Sequence, residues 1–315
     1  MRLAKENGFD EVVAGRASIV VNELATNILR HAARGEVLVQ VIHDGGDFAE
    51  LEVLAIDRGP GMRDVSACLR DGFSTAGTSG QGLGAATRLS DTFDVYSVFE
   101  KGSVLLSRFS RRQKSPPAVN GAAVVYGAFS VPLEGEMECG DTWRIAETEG
   151  QVAMFVADGL GHGPEAANAS QAAADAFSSR PMAAPVETMK ACHSAAGGTR
   201  GAAVACAQVH RAERKVAFAG VGNITGTVVT SERPRGMVSH NGIVGVQLLR
   251  TQQFDYEWPP ACIVVMHSDG LSARWNLMDY PGLQHRHPSI IAAMLYRDFS
   301  RPRDDATVLV VCQQA

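Results

Sequence analysis

VVNELATNILRHA, residues 20–32, is an apolar stretch with a polar seam. At helical periodicity Val20, Val21, Leu24, Ala25, Ile28 and Ala32 share one face, and Glu23, Asn27 and His31 form a stripe beside it. Such a stripe is either a solvated helix face or the edge of a site. Its neighbours in the chain decide between the two. Apolar runs in EVLVQVIHD and AELEVLAID predict strands, and the second delivers Asp57 into the turn DRGPGM. Gly59 and Gly61 permit unusual dihedrals and close approach of a ligand, although an ordinary strand-ending turn uses the same residues. Further on, DGFSTAGTSGQGLGAATRLSD leads Gly77, Gly80, Gly82 and Gly84 into a predicted helix, whose exposed amides suit phosphate oxygens. Within it GQGLGA imitates a dinucleotide fingerprint, but no strand precedes it, and a Walker-type GxxxxGK[ST] is absent.

The chain as a whole has 315 residues, enough for two domains, with 45% hydrophobic and 20% charged residues, the composition of a folded globular protein. A net charge of −5 gives no general attraction for nucleic acid or anionic lipid, so neither is expected as a partner. Six cysteines lie scattered without CxxC spacing, which predicts reduced thiols rather than a zinc site or a disulfide framework. The opening MRLAKENGFDE lacks a signal-peptide apolar core, and runs such as ACIVVM are too short to span a bilayer, so a cytoplasmic location is expected. RRQKSPPAVNG interrupts two patterned regions and divides the chain into domains at 1–111 and 122–315, joined by a linker at 112–121. The first half reads as a helix over roughly 11–33, two strands, the glycine-rich connection, a helix, and two further strands in TFDVYSVF and SVLLSRFS. After the linker, WRIAET, QVAMFVAD, AAVACAQVH, KVAFAGVG, ITGTVVTS, CIVVMHSD and ATVLVVC predict strands and EAANASQAAADAFSS a helix, an α+β pattern favouring antiparallel pairing.

The order Glu23/Asn27, Asp57/Gly59/Gly61, Gly80/Gly82/Gly84 resembles the boxes of the GHKL (Bergerat-fold) ATPase and kinase superfamily, above all the small serine kinases that regulate sigma factors. The resemblance covers about residues 1–110 and implies an α/β sandwich with helices on one mixed sheet. It further implies that Asn27 ligates a Mg²⁺ bridging the phosphates of ATP and that Glu23 polarises the attacking hydroxyl. Asp57 would accept a hydrogen bond from the adenine amino group, Gly59 and Gly61 would make room for the base, and Gly80, Gly82 and Gly84 would cap the phosphates. Ser103 stands where these folds often carry threonine near the adenine. The chain starts inside what the resemblance makes the first helix, without the family's preceding edge strand, so either a short sheet or a truncated start is expected. Under the same resemblance the domain either transfers phosphate or serves as a nucleotide-dependent binding switch. A sensor histidine kinase is disfavoured, since no helical segment with an acceptor histidine precedes the boxes.

In the second half four aspartates close or open apolar runs: Asp141 in CGDTW, Asp158 in VADGLGHG, Asp269 in HSDGL, and Asp304, with Asp305, in RDDATVLVV. Carboxylates at strand ends sit on rigid supports, and hard divalent cations prefer oxygen ligands, though each aspartate alone also suits a turn. The ordered set resembles the PPM-type serine/threonine phosphatases of the SpoIIE branch, as do TRGAAVACAQV and AFAGVGNITGTVV, over about residues 122–313. That likeness implies an α-β-β-α sandwich in which Asp158 bridges two Mn²⁺ or Mg²⁺ ions. Gly159 would offer its carbonyl, Asp141, Asp269 and Asp304 would complete the site, and a water acidified by both ions would attack phosphoserine. Asp305 suits the ligand role less well, and Gly220, Gly222 and Asn223 suit a supporting turn. His162 could protonate the leaving oxygen, although packing or solvation is the commoner use of a glycine-flanked histidine. Together the two resemblances imply a bifunctional regulator of a partner-switching or stressosome pathway, with STAS-domain proteins as substrates.

Overall fold

The polar-seamed stretch is helical in the computed structural model of the chain, which describes residues 1–32, 34–43, 49–70, 82–111, 124–230, 233–248 and 250–313. Two compact units result, one formed by Met1–Ala118 with Pro281–Arg297, the other by Val119–Tyr280 with Asp298–Ala315. In the first, helix α1 (Arg2–Glu6) ends at Gly8, whose φ of 73° breaks the helical path. Helix α2 (Glu11–His31) then begins on Asp10, whose carboxylate accepts from the Val13 amide at 2.7 Å. Helices α3 (Val65–Cys68) and α4 (Gly82–Leu89) complete the N-terminal helical set.

Strands β1 (Gly35–His43), β2 (Ala49–Asp57), β3 (Thr92–Val98) and β4 (Gly102–Ser110) form one sheet in the order β1-β2-β4-β3. All its pairings are antiparallel, where the sequence reading expected a mixed sheet: β3 turns back on itself into β4 through residues 99–101, and β4 returns beside β2 in the opposite direction. Val13, Ala17, Val20 and Leu24 of α2 bury against Leu51, Val53, Ala55, Leu105 and Phe109 on one face. Glu11–His31 is long and apolar enough in composition to cross a membrane, but its apolar stripe is spent on this core.

The other face of that sheet is also buried, with Glu52 and Arg108 directly opposed across β2 and β4. Arg108 Nε donates to Glu52 Oε2 at 2.7 Å and Nη1 to Glu50 Oε2 at 3.1 Å. Gln40 donates to the other Glu52 oxygen at 2.8 Å. Ser289, from the helix Pro288–Phe299, accepts from Arg108 Nη2 at 2.9 Å and donates to Glu52 Oε2 at 2.7 Å. Asp94 accepts from the His287 amide at 2.7 Å, and Tyr96 donates to the Pro281 carbonyl at 3.2 Å. Segment 281–297, remote in sequence, therefore completes the first unit.

A buried ion pair has already spent its desolvation cost, so removing one partner strands the other. Arg108→Ala is expected to lower local stability by about 3–5 kcal/mol and to speed amide exchange in β2 and β4 about 10²-fold or more. Native-state hydrogen exchange resolved by peptide checks this. Tryptophan fluorescence would not, because Trp143, Trp258 and Trp275 all lie in the second unit.

The second unit contains β5 (Val124–Val131), β6 (Asp141–Glu147), β7 (Gln151–Gly159), β8 (Ala202–His210), β9 (Lys215–Val221) and β10 (Thr225–Val229). β11 (Pro234–Met237), β12 (Ser239–His240), β13 (Phe254–Glu257), β14 (Ile263–His267) and β15 (Ala306–Gln313) follow. One sheet runs β11-β10-β14-β15-β5 and the other β12-β9-β8-β7-β6, with β13 paired to β9. Met154, Val156, Ala205 and Phe218 of the second sheet meet Val264, Met266, Leu309 and Val311 of the first in a dry core. Outside the second sheet lie α5 (Pro164–Ser179) and α6 (Pro185–Ala195), which bury Phe177, Met189 and Cys192 on Phe155, Val204 and Cys206. The Phe155 and Phe177 rings stack at 5.0 Å. All six cysteines are free thiols.

Candidate active sites

Asp57 ends β2, and its Oδ1 accepts from the Gly59 amide at 2.7 Å. Burial raises its pKa, opposed by hydrogen bonds from Gly59 and from the amide and hydroxyl of Ser103, and by the charge of Arg297. The Ser103 hydroxyl also contacts Ser97 Oγ at 2.9 Å, and Arg297 Nη1 donates to the Asp57 carbonyl at 3.3 Å. Gly61 has φ of 64°, and a Cβ there would come within 2.2 Å of the Val98 carbonyl oxygen, so only glycine fits. A Cβ on Gly59 would press on Asp57 Oδ1, Ala32 and the His31 carbonyl at 2.9–3.0 Å, which sets this turn against the end of α2.

Glu23 and Asn27 lie half-buried on α2, Asn27 one turn before His31. Gly82, the first residue of α4, sits so close to Glu23 that a Cβ there would stand 2.6 Å from Oε2. Gly84 is buried within α4. Gly77 and Gly80 lie outside the described residues. The structure thus brings Glu23 to Gly82, and Asp57 to Gly59 and Ser103, while Gly61 packs on Val98. At Gly59 and Gly82 protein atoms already occupy the space a side chain would take, so the turn and the start of α4 pack directly on Asp57 and Glu23.

In the second unit Asp141 opens β6 directly opposite Asp158 near the end of β7. Burial raises the pKa of both, and the neighbouring carboxylates raise them further: Asp304 and Asp305 for Asp141, those two with Asp141 and Asp269 for Asp158. Asp304 is raised in the same way, by burial and by Asp269. Asp141 is steadied by the hydroxyls of Ser268 and Thr307, yet its buried Oδ2 has no hydrogen-bond partner. Asn223 donates to Asp269 Oδ2 at 2.6 Å, giving the supporting turn a direct contact with the acidic group.

Asp305 does something else. Its two oxygens accept from the Leu133 and Gly140 amides at 2.7 and 2.9 Å, so it braces the loop before Asp141. Gly159 approaches α5 so closely that a Cβ would lie 2.0 Å from the Ala166 carbonyl oxygen. His162 Nδ1 meets Glu136 Oε1 at 2.6 Å in an exposed pair. Among the described residues, no three His, Cys, Asp or Glu side chains stand at coordinating distance from one point. Asp141, Asp158, Asp269 and Asp304 are gathered to Coulombic range but not closed into a ligand shell. Their repulsion and the orphaned Asp141 oxygen nevertheless fit hard divalent cations, whose charge would relieve both.

A pH dependence follows. Carboxylates whose pKa is raised by folding hold protons that the unfolded chain releases, so without metal stability falls as pH rises through the ordinary carboxylate range and above. A cation must displace those protons, and its affinity grows over the same interval. Chelated protein is expected to lose thermal stability from about pH 5 to about pH 8, and the Tm gain on adding Mn²⁺ to increase across that range. Thermal melts with chelator and with Mn²⁺ check this; a gain independent of pH contradicts it.

A strand-end aspartate cluster on a two-sheet sandwich stands in one unit, and a helix-and-sheet layer with glycine turns beside Glu23 and Asp57 in the other. Residues 148–314 match the family model of Stage II sporulation protein E (SpoIIE), and residues 1–108 that of the histidine kinase-like ATPase domain. The chain belongs to the SpoIIE family of PP2C-type serine/threonine phosphatase domains and carries an RsbT-like kinase-homologous domain ahead of it. It is 39% identical over 101 residues to the serine/threonine-protein kinase RsbT of Bacillus subtilis (strain 168), covering 32% of this chain and 75% of the relative. A solved chain from work on the bacterial stressosome as a modular system controlling secondary messenger signaling is 26% identical, with TM-score 0.57 over 60% of this chain and 99% of that one. RsbX in complex with magnesium shares the fold at 19% identity, with TM-score 0.55 over 61% of this chain and 96% of that one.

Proposed function

We propose that this protein is a bifunctional regulator in a bacterial partner-switching pathway, phosphorylating STAS-domain proteins through its first unit and dephosphorylating them through its second. The observation that supports the phosphatase half is geometric: Asp141 stands directly opposite Asp158 across β6 and β7 with its buried Oδ2 unpartnered, and burial followed by neighbouring carboxylates raises the pKa of both. Two Mn²⁺ or Mg²⁺ ions, when bound, supply the Lewis acidity that hydrolysis of a phosphoserine or phosphothreonine ester needs. Asp158, Asp141, Asp269 and Asp304, with the Gly159 carbonyl, hold them, while Asp305 and Asn223 fix the loops around them.

In the first domain Asp57 and Ser103 receive the adenine of ATP, and Gly59 and Gly61 leave it space. Asn27 holds the Mg²⁺ of the nucleotide, the amides around Gly80, Gly82 and Gly84 meet the phosphates, and Glu23 orients the serine hydroxyl for attack. The Glu23 carboxylate beside Gly82 supports transfer over nucleotide-dependent partner binding alone, because it stands where the glycine-rich segment enters α4. If both domains acted on one serine they would cycle ATP uselessly, so the targets differ or the balance is regulated. The setting is cytoplasmic, the partners are proteins, and neither nucleic acid nor membrane is required.

The test is incubation of the full chain with candidate STAS-domain proteins, using ATP and Mg²⁺ in one arm and the phosphorylated STAS protein with Mn²⁺ in the other. Intact mass should show phosphate gained in the first and lost in the second. No change in the Mn²⁺ arm across a panel of phosphorylated STAS proteins and phosphopeptides refutes the phosphatase assignment.

A further inference from the structure

A cation stands beside the loop that follows Asp158. We propose that Arg200 binds the phosphate group of the phosphoprotein substrate, and that Glu165 competes for its guanidinium until substrate arrives. This rests on the phosphatase reading above. Thr199 Oγ1 donates to the Ala196 carbonyl at 2.7 Å and accepts from the Gly201 amide at 3.0 Å, which fixes the turn. Leu160 donates to the Gly201 carbonyl at 2.9 Å, tying that turn to the loop carrying Asp158. Immediately afterwards β8 enters the sheet with Ala202 opposite Gly159 and Ala203 opposite Asp158. The backbone of Arg200 is thereby anchored at the same end of β7 as the acidic cluster.

Its side chain crosses the glycine loop. Gly161 has φ of 90°, and a Cβ there would lie 3.1 Å from Arg200 Nη1, so the absence of a side chain clears the path. Nη2 pairs with Glu165 in the first turn of α5. The arginine side chain is 49% exposed and the glutamate 66%, so the pair is worth little to the fold and water already reaches it. A phosphate dianion presents more charge and a matched pair of oxygens to a planar guanidinium, and it displaces a solvent-exposed carboxylate. His162, the other basic group on this loop, is engaged with Glu136 on a separate pair.

Arg200 and Glu165 should therefore act with opposite signs. In Mn²⁺-loaded full chain, Arg200→Ala is expected to raise KM for para-nitrophenyl phosphate, and the dissociation constant of inorganic phosphate read by calorimetry, about tenfold, with kcat within about threefold. Arg200→Lys should recover part of the loss. Glu165→Gln should tighten inorganic phosphate about threefold, and the double variant should match Arg200→Ala, since the carboxylate acts only through the guanidinium. Melting temperature should barely move in either single variant. Unchanged phosphate affinity in Arg200→Ala, or a loss in kcat and stability with affinity intact, overturns the assignment. Wild-type protein that binds phosphate through Arg200 but hydrolyses no ester keeps Arg200 as a phosphate ligand while removing the phosphatase reading and, with it, the substrate role.

Discussion

Asp158→Asn is expected to abolish release of phosphate from a phosphorylated STAS protein, a fall of about 10³-fold or more, while leaving the chelated protein at least as stable as wild type. The two effects have one cause. Asp158 faces Asp141 across β6 and β7 and lies within the field of Asp269, Asp304 and Asp305, so its negative charge opposes folding until cations offset it. Asparagine keeps the shape, removes the charge and would be a weaker ligand for a hard cation. Stability in chelator should rise or hold, and the stabilisation by Mn²⁺ should largely disappear. Malachite-green phosphate release together with melts in chelator and in Mn²⁺ measures both. A variant that keeps its activity, or one that is severely destabilised without metal, contradicts the role given to Asp158.

Asn27→Ala should abolish phosphorylation of the STAS substrate by ATP, by about 10²-fold or more, with phosphatase activity unchanged. Asn27 lies one turn before His31, whose carbonyl abuts Gly59, and one turn after Glu23, whose carboxylate abuts Gly82. It thus lies on α2 between the residues that abut Gly59 and Gly82, which is where the proposed nucleotide site would need a ligand for its cation. Alanine there leaves the helix and its buried stripe intact, so the loss should be confined to nucleotide chemistry. Radiolabel transfer from ATP reads the loss, and a pull-down without nucleotide asks whether the variant still retains its partner. Full transfer by Asn27→Ala refutes the kinase assignment. Absence of transfer by wild type, with retention of partner dependent on nucleotide, favours the binding switch.

What the sequence makes legible is local: the turns and strand ends that carry the candidate residues. Asp57 with Gly59 and Gly61 reads as a turn built for close approach, and the clash distances show why those positions exclude side chains. Apolar strands ending in Asp158 and Asp269 similarly announce carboxylates on rigid supports. Long-range placement was not legible. Glu52 and Ser289 are 237 residues apart, and nothing local in PSIIAAMLYRDF marks that helix as a partner of Arg108. Asp304 and Asp305 are adjacent and chemically identical; only the amides of Leu133 and Gly140 separate a brace from a candidate ligand. A lone arginine in TRGAAVACAQV carries no pattern in the sequence, and only the pairing of β7 with β8 sets Arg200 beside the end of β7. Helix α6 was missed because its apolar residues, Met189 and Cys192 among them, are too few to set a strong period.

The most direct test of the central claim, that separated aspartates hold paired divalent cations for phosphate hydrolysis, is titration of nucleotide-free full chain with Mn²⁺ by calorimetry, beside Asp158→Asn. Wild type should bind about two ions with heat that depends on pH, and the variant should lose that binding together with phosphate release. Equal Mn²⁺ binding by the two proteins, or hydrolysis that persists in chelator, would contradict it.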